Sequence, residues 1–241
     1  MTKFSIIINA GGKSSRMGAD KALLDIDGKT MIERIIQQTA GLGDQIIVTN
    51  TPEDYARFGL PVASDVIPGK GALGGLYTAI HAATQPYALV LACDMPFINR
   101  PLLEHMMSLA PEFEAVVPRL TPVSQREKGD GGVSEKPPTP PPSAPSTARG
   151  TTPRSAQGAS TGEGKEAEPF HAIYSKACLD PIRRAFDAGK MRVISFFPDI
   201  RLRWLEEDEI RQFDPELLAF MNCNTPEELE AVRKLWKQRI V

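Results

Sequence analysis

Cysteine is scarce in this chain, and the few cysteines lie far apart. The sequence contains three, Cys93, Cys178 and Cys223, and no two of them form a C-x-x-C pair. A disulfide framework and a structural zinc site both need several cysteines at set spacings, so the sequence argues against both. Unpaired cysteines are typical of a reducing compartment, and we therefore expect a cytoplasmic protein.

Strong positive charge and long apolar runs are also missing. The 28 Lys and Arg residues nearly balance the 30 Asp and Glu residues, whereas a nucleic-acid-binding protein usually shows a basic balance or patch. No apolar run approaches the length of a transmembrane helix. The first residues do not form the cationic and apolar regions of a signal peptide. We expect neither a nucleic acid nor a membrane as a partner.

One long segment lacks every large apolar residue. From Ser134 to Pro169 the sequence contains no Val, Ile, Leu, Met, Phe, Trp, Tyr or Cys, and it includes the run P-P-T-P-P-P. Such a composition buries too little apolar surface to offset the entropy of ordering. We interpret residues 120–169 as a disordered insertion that divides one domain into residues 1–119 and 170–241. A tolerated insertion is favoured over a partner-binding tether, because a long surface loop adds little closure entropy.

Outside this segment, apolar runs alternate with amphipathic patterns. Such alternation predicts an α/β fold: a three-layer, Rossmann-like, mainly parallel sheet with helices on both faces. Predicted strands are Phe4–Ile8, Ile46–Thr49, Ala88–Ala92, Ala115–Val117, Phe170–Tyr174 and Arg203–Leu205. Predicted helices are one capped by Thr30, then Pro52–Phe58, Leu73–Ala83, Pro101–Leu109, Pro181–Ala188, Met191–Phe197 and one after Asn224. Ligands bind at the carboxyl ends of such strands, which places Gly11–Lys21, Asn50 and Asp94 at one edge.

A glycine-rich loop follows the first predicted strand. The sequence from Ile6 to Lys21 is I-I-I-N-A-G-G-K-S-S-R-M-G-A-D-K. Glycines let the backbone approach a ligand closely, and successive N–H groups form a concavity that binds anions. Arg16 and Lys21 add fixed positive charge where a polyphosphate would lie. The loop therefore predicts a site for a nucleoside triphosphate.

Two familiar phosphate loops do not fit this stretch. A P-loop needs a glycine at position 7, where this chain has Ile7. The dinucleotide-binding fingerprint needs G-x-G-x-x-G, and here the glycines are adjacent. An ordinary tight turn with surface lysines is the simpler alternative, but it leaves the spacing of Arg16, Gly18 and Lys21 unexplained.

Three further motifs carry candidate chemistry. Pro68–Leu76 is a second glycine-rich loop entering a helix, which indicates phosphate binding or, alternatively, close helix packing. Asp94 follows a buried strand, where a carboxylate can hold Mg²⁺; a turn or helix-cap role is the alternative. Asn222 and Asn224 lie in N-C-N-T-P-E-E-L and project to one side of an extended segment, although Asn224 could also cap the following helix.

In their order along the chain, these motifs resemble the molybdenum cofactor guanylyltransferases, the MobA family. The resemblance rests on A-G-G-x-S-x-R-M-G-x-D-K-x-L-L, G-x-L-G-G, C-D-x-P and N-x-N-T-P-E-E-L, and it covers nearly the whole chain except the insertion. It implies a nucleotide-diphospho-sugar transferase-like fold. Two positions depart from the family pattern: Asn9 stands where the family usually has Leu, and Ala72 where it commonly has Pro.

The resemblance implies transfer of GMP from GTP to the molybdenum-molybdopterin cofactor, with Mg²⁺ as metal and pyrophosphate as product. It implies catalytic roles for Arg16, Lys21 and Asp94, with Asp94 as metal ligand. The nucleotide-binding residues it implies are Asn9, Ala10, Gly11, Gly12, Lys21, Asn50, Asp65, Gly71, Gly75 and Asp94. The implied acceptor-binding residues, on the side of residues 170–241, are Arg192, Asn222 and Asn224. His171 is expected to be structural or to line the pterin pocket, and Cys93 to be a packed thiol. Molybdoenzyme apoproteins or their chaperones are the macromolecular partners that the resemblance implies.

Other functions remain open at this point. The closest are a cytidylyltransferase for the same cofactor and a nucleotidylyltransferase for a sugar phosphate. Asn9 bears on base selectivity if the side chain at that position packs against the base. A GTP-binding carrier without catalysis is a third alternative, but Arg16, Lys21 and Asp94 argue against it.

Overall fold

The structure is a computed structural model that describes residues 3–11, 20–121, 159–160 and 166–239. Its strands are β1 Phe4–Asn9, β2 Asp25–Ile26, β3 Lys29–Thr30, β4 Asp44–Val48, β5 Val62–Ala63, β6 Tyr87–Ala92, β7 Ala115–Leu120, β8 Ala159–Ser160, β9 Glu166–Ala167, β10 His171–Ser175 and β11 Leu202–Glu206. Its α-helices are α1 Met31–Gln38, α2 Pro52–Tyr55, α3 Gly71–Ala82, α4 Arg100–Leu109, α5 Leu179–Asp187, α6 Glu207–Ile210 and α7 Pro226–Arg239. Short 3-10 helices cover Lys21–Leu23, Ala56–Phe58, Ala110–Glu112, Lys176–Cys178, Val193–Asp199 and Leu218–Phe220.

A mixed, mainly parallel sheet runs through the centre of the molecule. Its order is β5-β4-β1-β6-β10-β7-β9-β8, and β11 pairs with β7. Strands β5, β4, β1 and β6 are mutually parallel, whereas β10 runs antiparallel to both β6 and β7. In the register of the sheet, Ile7 lies between Ile46 on β4 and Val90 on β6. The predicted fold class is confirmed.

Helices cover both faces of the sheet, and β1 shows why. Ile7 packs into a core shared with α3 and α5, while Ile6 and Ile8 pack into a second core shared with α1 and α4. A strand whose side chains are buried on both faces needs a continuous apolar run, which the sequence of β1 provides. The result is the three-layer arrangement expected from the sequence.

The described helices are short. The two longest are α7, with 14 residues, and α3, with 12. Throughout the described residues, no helix combines the length and the apolar character that crossing a membrane requires.

Several elements differ from the sequence-based expectation. The β2–β3 hairpin was not predicted, although its turn, Asp27 (φ 53°) and Gly28 (φ 81°), is an Asp-Gly pair of the kind that favours tight hairpins. Strands of two residues are too short to show a period of two. The helix predicted at Met191–Phe197 is a 3-10 helix at Val193–Asp199 that contains Pro198.

The boundary of the insertion also needs correction. β7 continues to Leu120, and β9 pairs with it through Arg119–Ala167 and Leu120–Glu166. Ala167 is fully buried in the core of the α3 face. Part of the segment assigned to the insertion therefore belongs to the sheet, because backbone pairing does not need large apolar side chains. Residues 122–158 and 161–165 lie outside the described part of the chain.

The β2–β3 hairpin and helix α7 pack against each other and form one corner of the molecule. Arg233 on α7 donates from Nε and Nη2 to the carbonyl oxygen of Asp25, at 3.0 and 2.9 Å. Arg34 on α1 donates from Nε to the carbonyl oxygen of Ile26 at 3.0 Å, and its guanidinium lies 4.3 Å from the ring centre of Trp236. These contacts hold the second half of α7 against α1 and the hairpin that follows the first glycine-rich loop.

Candidate active site

The carboxyl ends of three parallel strands meet at one edge of the sheet. Asn9, the last residue of β1, is in register with Val48 on β4 and Ala92 on β6. The next residues continue this contact: the amide of Ala10 donates to Val48 (2.8 Å), and the amide of Cys93 donates to the carbonyl of Asn9 (3.1 Å). The first glycine-rich loop and the Asp94 segment therefore leave the sheet side by side.

Only part of the first glycine-rich loop is described. Gly11 is exposed, and a side chain there would meet Oδ1 of Asn9 at 3.4 Å, which is close to ordinary contact. The predicted site residues Gly12 and Arg16 lie outside the described residues. Asn9, Ala10 and Gly11 sit where the sequence placed them, at the end of the central strand.

Lys21 is described, and its backbone is held in place by its neighbour Asp20. The Asp20 side chain caps the 3-10 helix by accepting from the amide of Ala22 at 3.0 Å. Its other carboxylate oxygen accepts from the hydroxyl of Tyr55 at 2.6 Å. Burial, and then the hydrogen bond to Asp20, raise the pKa of Tyr55, so this hydroxyl stays protonated and keeps donating.

The side chain of Lys21 reaches the C-terminal segment. Its Nζ donates to Oδ1 of Asn224 at 2.6 Å, across 203 residues of sequence. A residue predicted to bind the nucleotide thus touches a residue predicted to bind the acceptor. The two halves of the predicted site meet at this contact.

Asp94 is buried, with 4% of its surface exposed, and it follows β6 directly. Its carbonyl oxygen accepts from the amide of Cys223 at 2.9 Å, which joins the Asp94 strand to the same C-terminal segment. Among residues 3–11, 20–121, 159–160 and 166–239, no group of three His, Cys, Asp or Glu side chains could hold a metal ion together. One carboxylate suits Mg²⁺, which commonly takes one or two carboxylates and completes its shell with water and substrate phosphates. Asp94 therefore fits the predicted metal.

The two cysteines beside Asp94 both have raised pKa values. Burial, and then the charge of Asp94, raise the pKa of Cys93 well above its ordinary value. Burial, together with nearby Glu228 and Asp94, raises the pKa of Cys223 to about 11. Both thiols stay protonated at neutral pH, which agrees with the packed role expected for Cys93.

Asn50 and Asp65 form a reciprocal pair beside the strand ends. The Asn50 amide nitrogen donates to Oδ2 of Asp65 at 2.8 Å, and the backbone amide of Asp65 donates back to Oδ1 of Asn50 at 3.0 Å. The short strand β5 brings them together, because its Ala63 pairs with Val48 at the end of β4. Two residues with weak individual signals in the sequence thus form one rigid unit that orients a carboxylate.

The second glycine-rich loop combines packing and open space. A side chain at Gly74 would collide with Cβ of Lys70 at 2.8 Å and approach the carbonyl oxygen of Ile67 at 3.2 Å, so Gly74 serves close packing. A side chain at Gly75 would meet no described atom within 4 Å. Gly71 has a φ of 58°, which favours glycine at the first turn of α3. Gly74 therefore serves close packing, whereas phosphate binding near Gly71 and Gly75 stays a prediction.

The structure places the predicted acceptor residues Asn222 and Arg192 in different surroundings. Asn222 is half-buried, and its Oδ1 is buried without a hydrogen-bond partner among the described residues. Arg192 is exposed at the start of the 3-10 helix Val193–Asp199, where its carbonyl accepts from Ser195. That local contact does not join Arg192 to Asn222 or Asn224.

His171 is fully buried on β10, in register with Leu91 of β6. Its ring packs against Phe220 with 4.9 Å between ring centres, and neither ring nitrogen has a hydrogen-bond partner among the described residues. Burial lowers the pKa of His171 to about 4, so the imidazole is neutral at pH 7. It lies between the Asp94 strand and the C-terminal segment and supports both.

Comparison with known proteins identifies the family. A family model described as MobA-like NTP transferase domain matches residues 6–200. The chain belongs to this family. It is therefore a nucleotidyltransferase, and the resemblance stated from its motifs is confirmed.

Individual relatives agree with the family. A probable molybdenum cofactor guanylyltransferase from Clostridium perfringens is 41% identical over 237 residues, covering 97% of this chain and 98% of the relative. A molybdenum cofactor guanylyltransferase from Desulfosudis oleivorans is 30% identical over 93% of this chain and 91% of its own length. The crystal structure of molybdopterin-guanine dinucleotide biosynthesis protein A from Archaeoglobus fulgidus is 20% identical, with a TM-score of 0.69, and the match covers 97% of this chain and 99% of that one. At that identity the last match supports the fold.

Three residues that hold this MobA-like site in place were not predicted from the sequence. Asp20 and Tyr55 hold Lys21, and the signal for Asp20 was its place directly before a short helix. Thr225, not Asn224, caps α7: its hydroxyl accepts from the amide of Glu228 at 3.2 Å, and the Glu228 carboxylate accepts from the amide of Thr225 at 3.1 Å. The sequence T-P-E-E carries the capping-box pattern with Pro at the first helical position. Asn224 is thereby left to act through its side chain elsewhere.

Proposed function

We propose that this protein transfers GMP from GTP to the molybdenum-molybdopterin cofactor and releases pyrophosphate. The observation that carries the proposal is the meeting of the two halves of the site. Asn224 contacts Lys21, and Cys223 contacts Asp94, at the edge where β1 and β6 end. A transferase needs its donor and acceptor sites in contact, since the reacting groups must approach to about 3 Å.

The chemistry needs no covalent intermediate on the protein. An oxygen of the acceptor's terminal phosphate attacks the α-phosphorus of GTP, and the bond from that phosphorus to the bridging oxygen of pyrophosphate breaks in line. The raised pKa values of Cys93 and Cys223 agree with this direct transfer. The protein then contributes positioning and charge, through Lys21 and Arg16 on the leaving pyrophosphate.

Asp94 would hold Mg²⁺ beside the α-phosphate. When bound, Mg²⁺ supplies positive charge that stabilises the charge on the phosphoryl oxygens in the transition state. Burial of the carboxylate, with 4% of the residue exposed, limits competition from water at this position.

Guanine selection is proposed to rest on Asp65. Guanine presents two adjacent N–H donors on one edge, and a carboxylate accepts from both, whereas cytosine presents a single amino donor beside two acceptors. Asn50 orients this carboxylate through the reciprocal hydrogen bonds. Gly75 leaves room for a ligand above α3, while Asn9, where the family usually has Leu, bears on how the base packs.

Pyrophosphate release tests the proposal. Purified protein, Mg²⁺ and molybdopterin cofactor are incubated with GTP or CTP in parallel. Release with GTP alone is the expected result; release with CTP would indicate a cytidylyltransferase. GTP binding without pyrophosphate release would indicate another acceptor or a carrier. Molybdoenzyme apoproteins or their chaperones are the proposed recipients of the product.

A further inference from the structure

The contact between Lys21 and Asn224 gives Asn224 a role beyond the one its sequence motif implies. The ammonium Nζ of Lys21 donates to the side-chain oxygen of Asn224 at 2.6 Å. That is a short, charge-assisted hydrogen bond, the class that contributes more than a neutral pair. In the described structure, Asn224 thus acts on the nucleotide half of the site.

Both ends of this contact are held in place. On the lysine side, Asp20 caps the short helix that begins at Lys21, and Tyr55 holds Asp20 at 2.6 Å. On the asparagine side, the backbone amide of Asn224 donates to Glu228 at 2.5 Å, and the preceding Cys223 is bonded to the carbonyl of Asp94. A contact between two restrained partners fixes the direction of the long lysine side chain, which otherwise loses much rotamer freedom on ordering.

The chemistry of the amide suits this task. Its oxygen accepts a hydrogen bond from an ammonium without carrying a charge of its own. A carboxylate at position 224 would hold Lys21 equally closely but would cancel its charge and repel phosphates. An asparagine therefore orients the lysine without placing a negative charge beside it.

We propose that Asn224 is a positioning residue that aims Lys21 at the β- and γ-phosphates of the nucleotide. The proposal rests on the proposed function for the identity of the nucleotide. It assigns the C-terminal segment a direct influence on triphosphate binding, in addition to any contact with the acceptor.

The test compares GTP with GMP by isothermal titration calorimetry in the presence of Mg²⁺. GMP lacks the β- and γ-phosphates, so it reports on the contacts of the base, the sugar and the α-phosphate. Asn224→Leu keeps the approximate volume and removes the acceptor oxygen. We expect GTP affinity to fall about tenfold, the size typical for a hydrogen bond to a charged group, while GMP affinity stays within about twofold.

A double-mutant cycle ties the effect to the lysine. In a Lys21→Met background, Asn224→Leu should change neither affinity further, because the group it positions is gone. Lys234→Ala is the matched control, since it removes an exposed side chain of α7 and leaves the helix cap and the contact atoms intact. It should keep the wild-type ratio of GTP to GMP affinity.

Two results would overturn the proposal. One is an unchanged GTP affinity in Asn224→Leu together with a raised KM for the acceptor, which would make Asn224 an acceptor ligand. The other is an equal loss of GTP affinity when Asn224→Leu is introduced into the wild type and into the Lys21→Met variant. Failure of the proposed function is distinguishable, because absence of GMP transfer by the wild type would leave the GTP-to-GMP ratio and its dependence on Asn224 measurable.

Discussion

At the scale of single residues, the site depends on two charged side chains, those of Asp94 and Lys21. Asp94 is buried at the end of β6, and Lys21 is held through Asp20 and Asn224. Neither contributes to a hydrophobic core. Their removal should therefore affect catalysis far more than folding.

Lys21→Ala and Asp94→Ala are each expected to abolish turnover. Removing a group that stabilises developing charge typically costs a factor of about 100 to 1,000 in kcat. Pyrophosphate release measures the loss, and circular dichroism checks that the fold survives. Cys93→Ser, beside Asp94, is the control and should retain turnover because its thiol is a protonated packing group. Near-normal turnover in either alanine variant would contradict the assigned roles.

His171 should make the protein less stable in mild acid. Its pKa is about 4 in the folded state, below the usual value of 6.5, so the unfolded chain binds the proton first as the pH falls. The neutral, buried imidazole therefore makes its full contribution to the free energy of unfolding above pH 6.5. That contribution is lost as the pH falls from 6.5 to about 4, and the loss is roughly 3 kcal/mol at most. Urea unfolding across this range measures it. His171→Phe should remove this component of the pH dependence, and identical curves for the two proteins would refute the explanation.

At the scale of elements, helix α7 links the C-terminal segment to the rest of the site. Trp236 lies over Arg34 and stacks on Phe97, with 5.4 Å between ring centres. Arg34 in turn binds the carbonyl oxygens of the β2–β3 hairpin. Packing at this corner thus holds the second half of α7, the helix that follows Asn222 and Asn224 in the chain.

Trp236→Ala should weaken both stability and turnover. Truncating a partly buried tryptophan is expected to cost about 2 kcal/mol and to loosen α7. Chemical unfolding and the KM for GTP measure the two effects. Lys237→Ala changes an exposed residue on the same helix and should alter neither. Lost stability with an unchanged KM for GTP would show that packing around Trp236 does not affect the nucleotide site.

At the scale of the whole molecule, one sheet combines both halves of the chain. β10, from the C-terminal half, lies between β6 and β7, and β9 extends the pairing of β7. The chain on either side of residues 122–158 therefore pairs in the same sheet.

Replacing residues 125–155 by a Gly/Ser linker of about six residues should leave the fold and turnover intact. Shortening a long loop changes closure entropy only slightly, because that entropy depends on the logarithm of its length. Thermal unfolding and pyrophosphate release measure the outcome. A loss of turnover beyond about fivefold with an unchanged melting temperature would indicate that the segment has a function of its own.

Local signals in the sequence account for much of this architecture. The apolar run of β1 and the capping box at Thr30 and Glu33 are properties of neighbouring residues, and the structure has both. The position of Asp94 after β6 followed in the same way. The contact of Lys21 with Asn224 could not be predicted, because it depends on the packing of α7 against a hairpin that the sequence analysis missed. Pairing of β9 with β7 was missed as well, since composition carries no information about backbone partners.

The Lys21–Asn224 contact also has a consequence during synthesis. Lys21 leaves the ribosome long before Asn224, which lies 203 residues later. At typical rates of elongation, about 5 to 20 residues per second, this delay is roughly 10 to 40 s. During that time the emerging chain carries the lysine and then Asp94 without the partner that aims the lysine. A nascent chain would hold nucleotide weakly, and productive binding would coincide with near-completion of the fold.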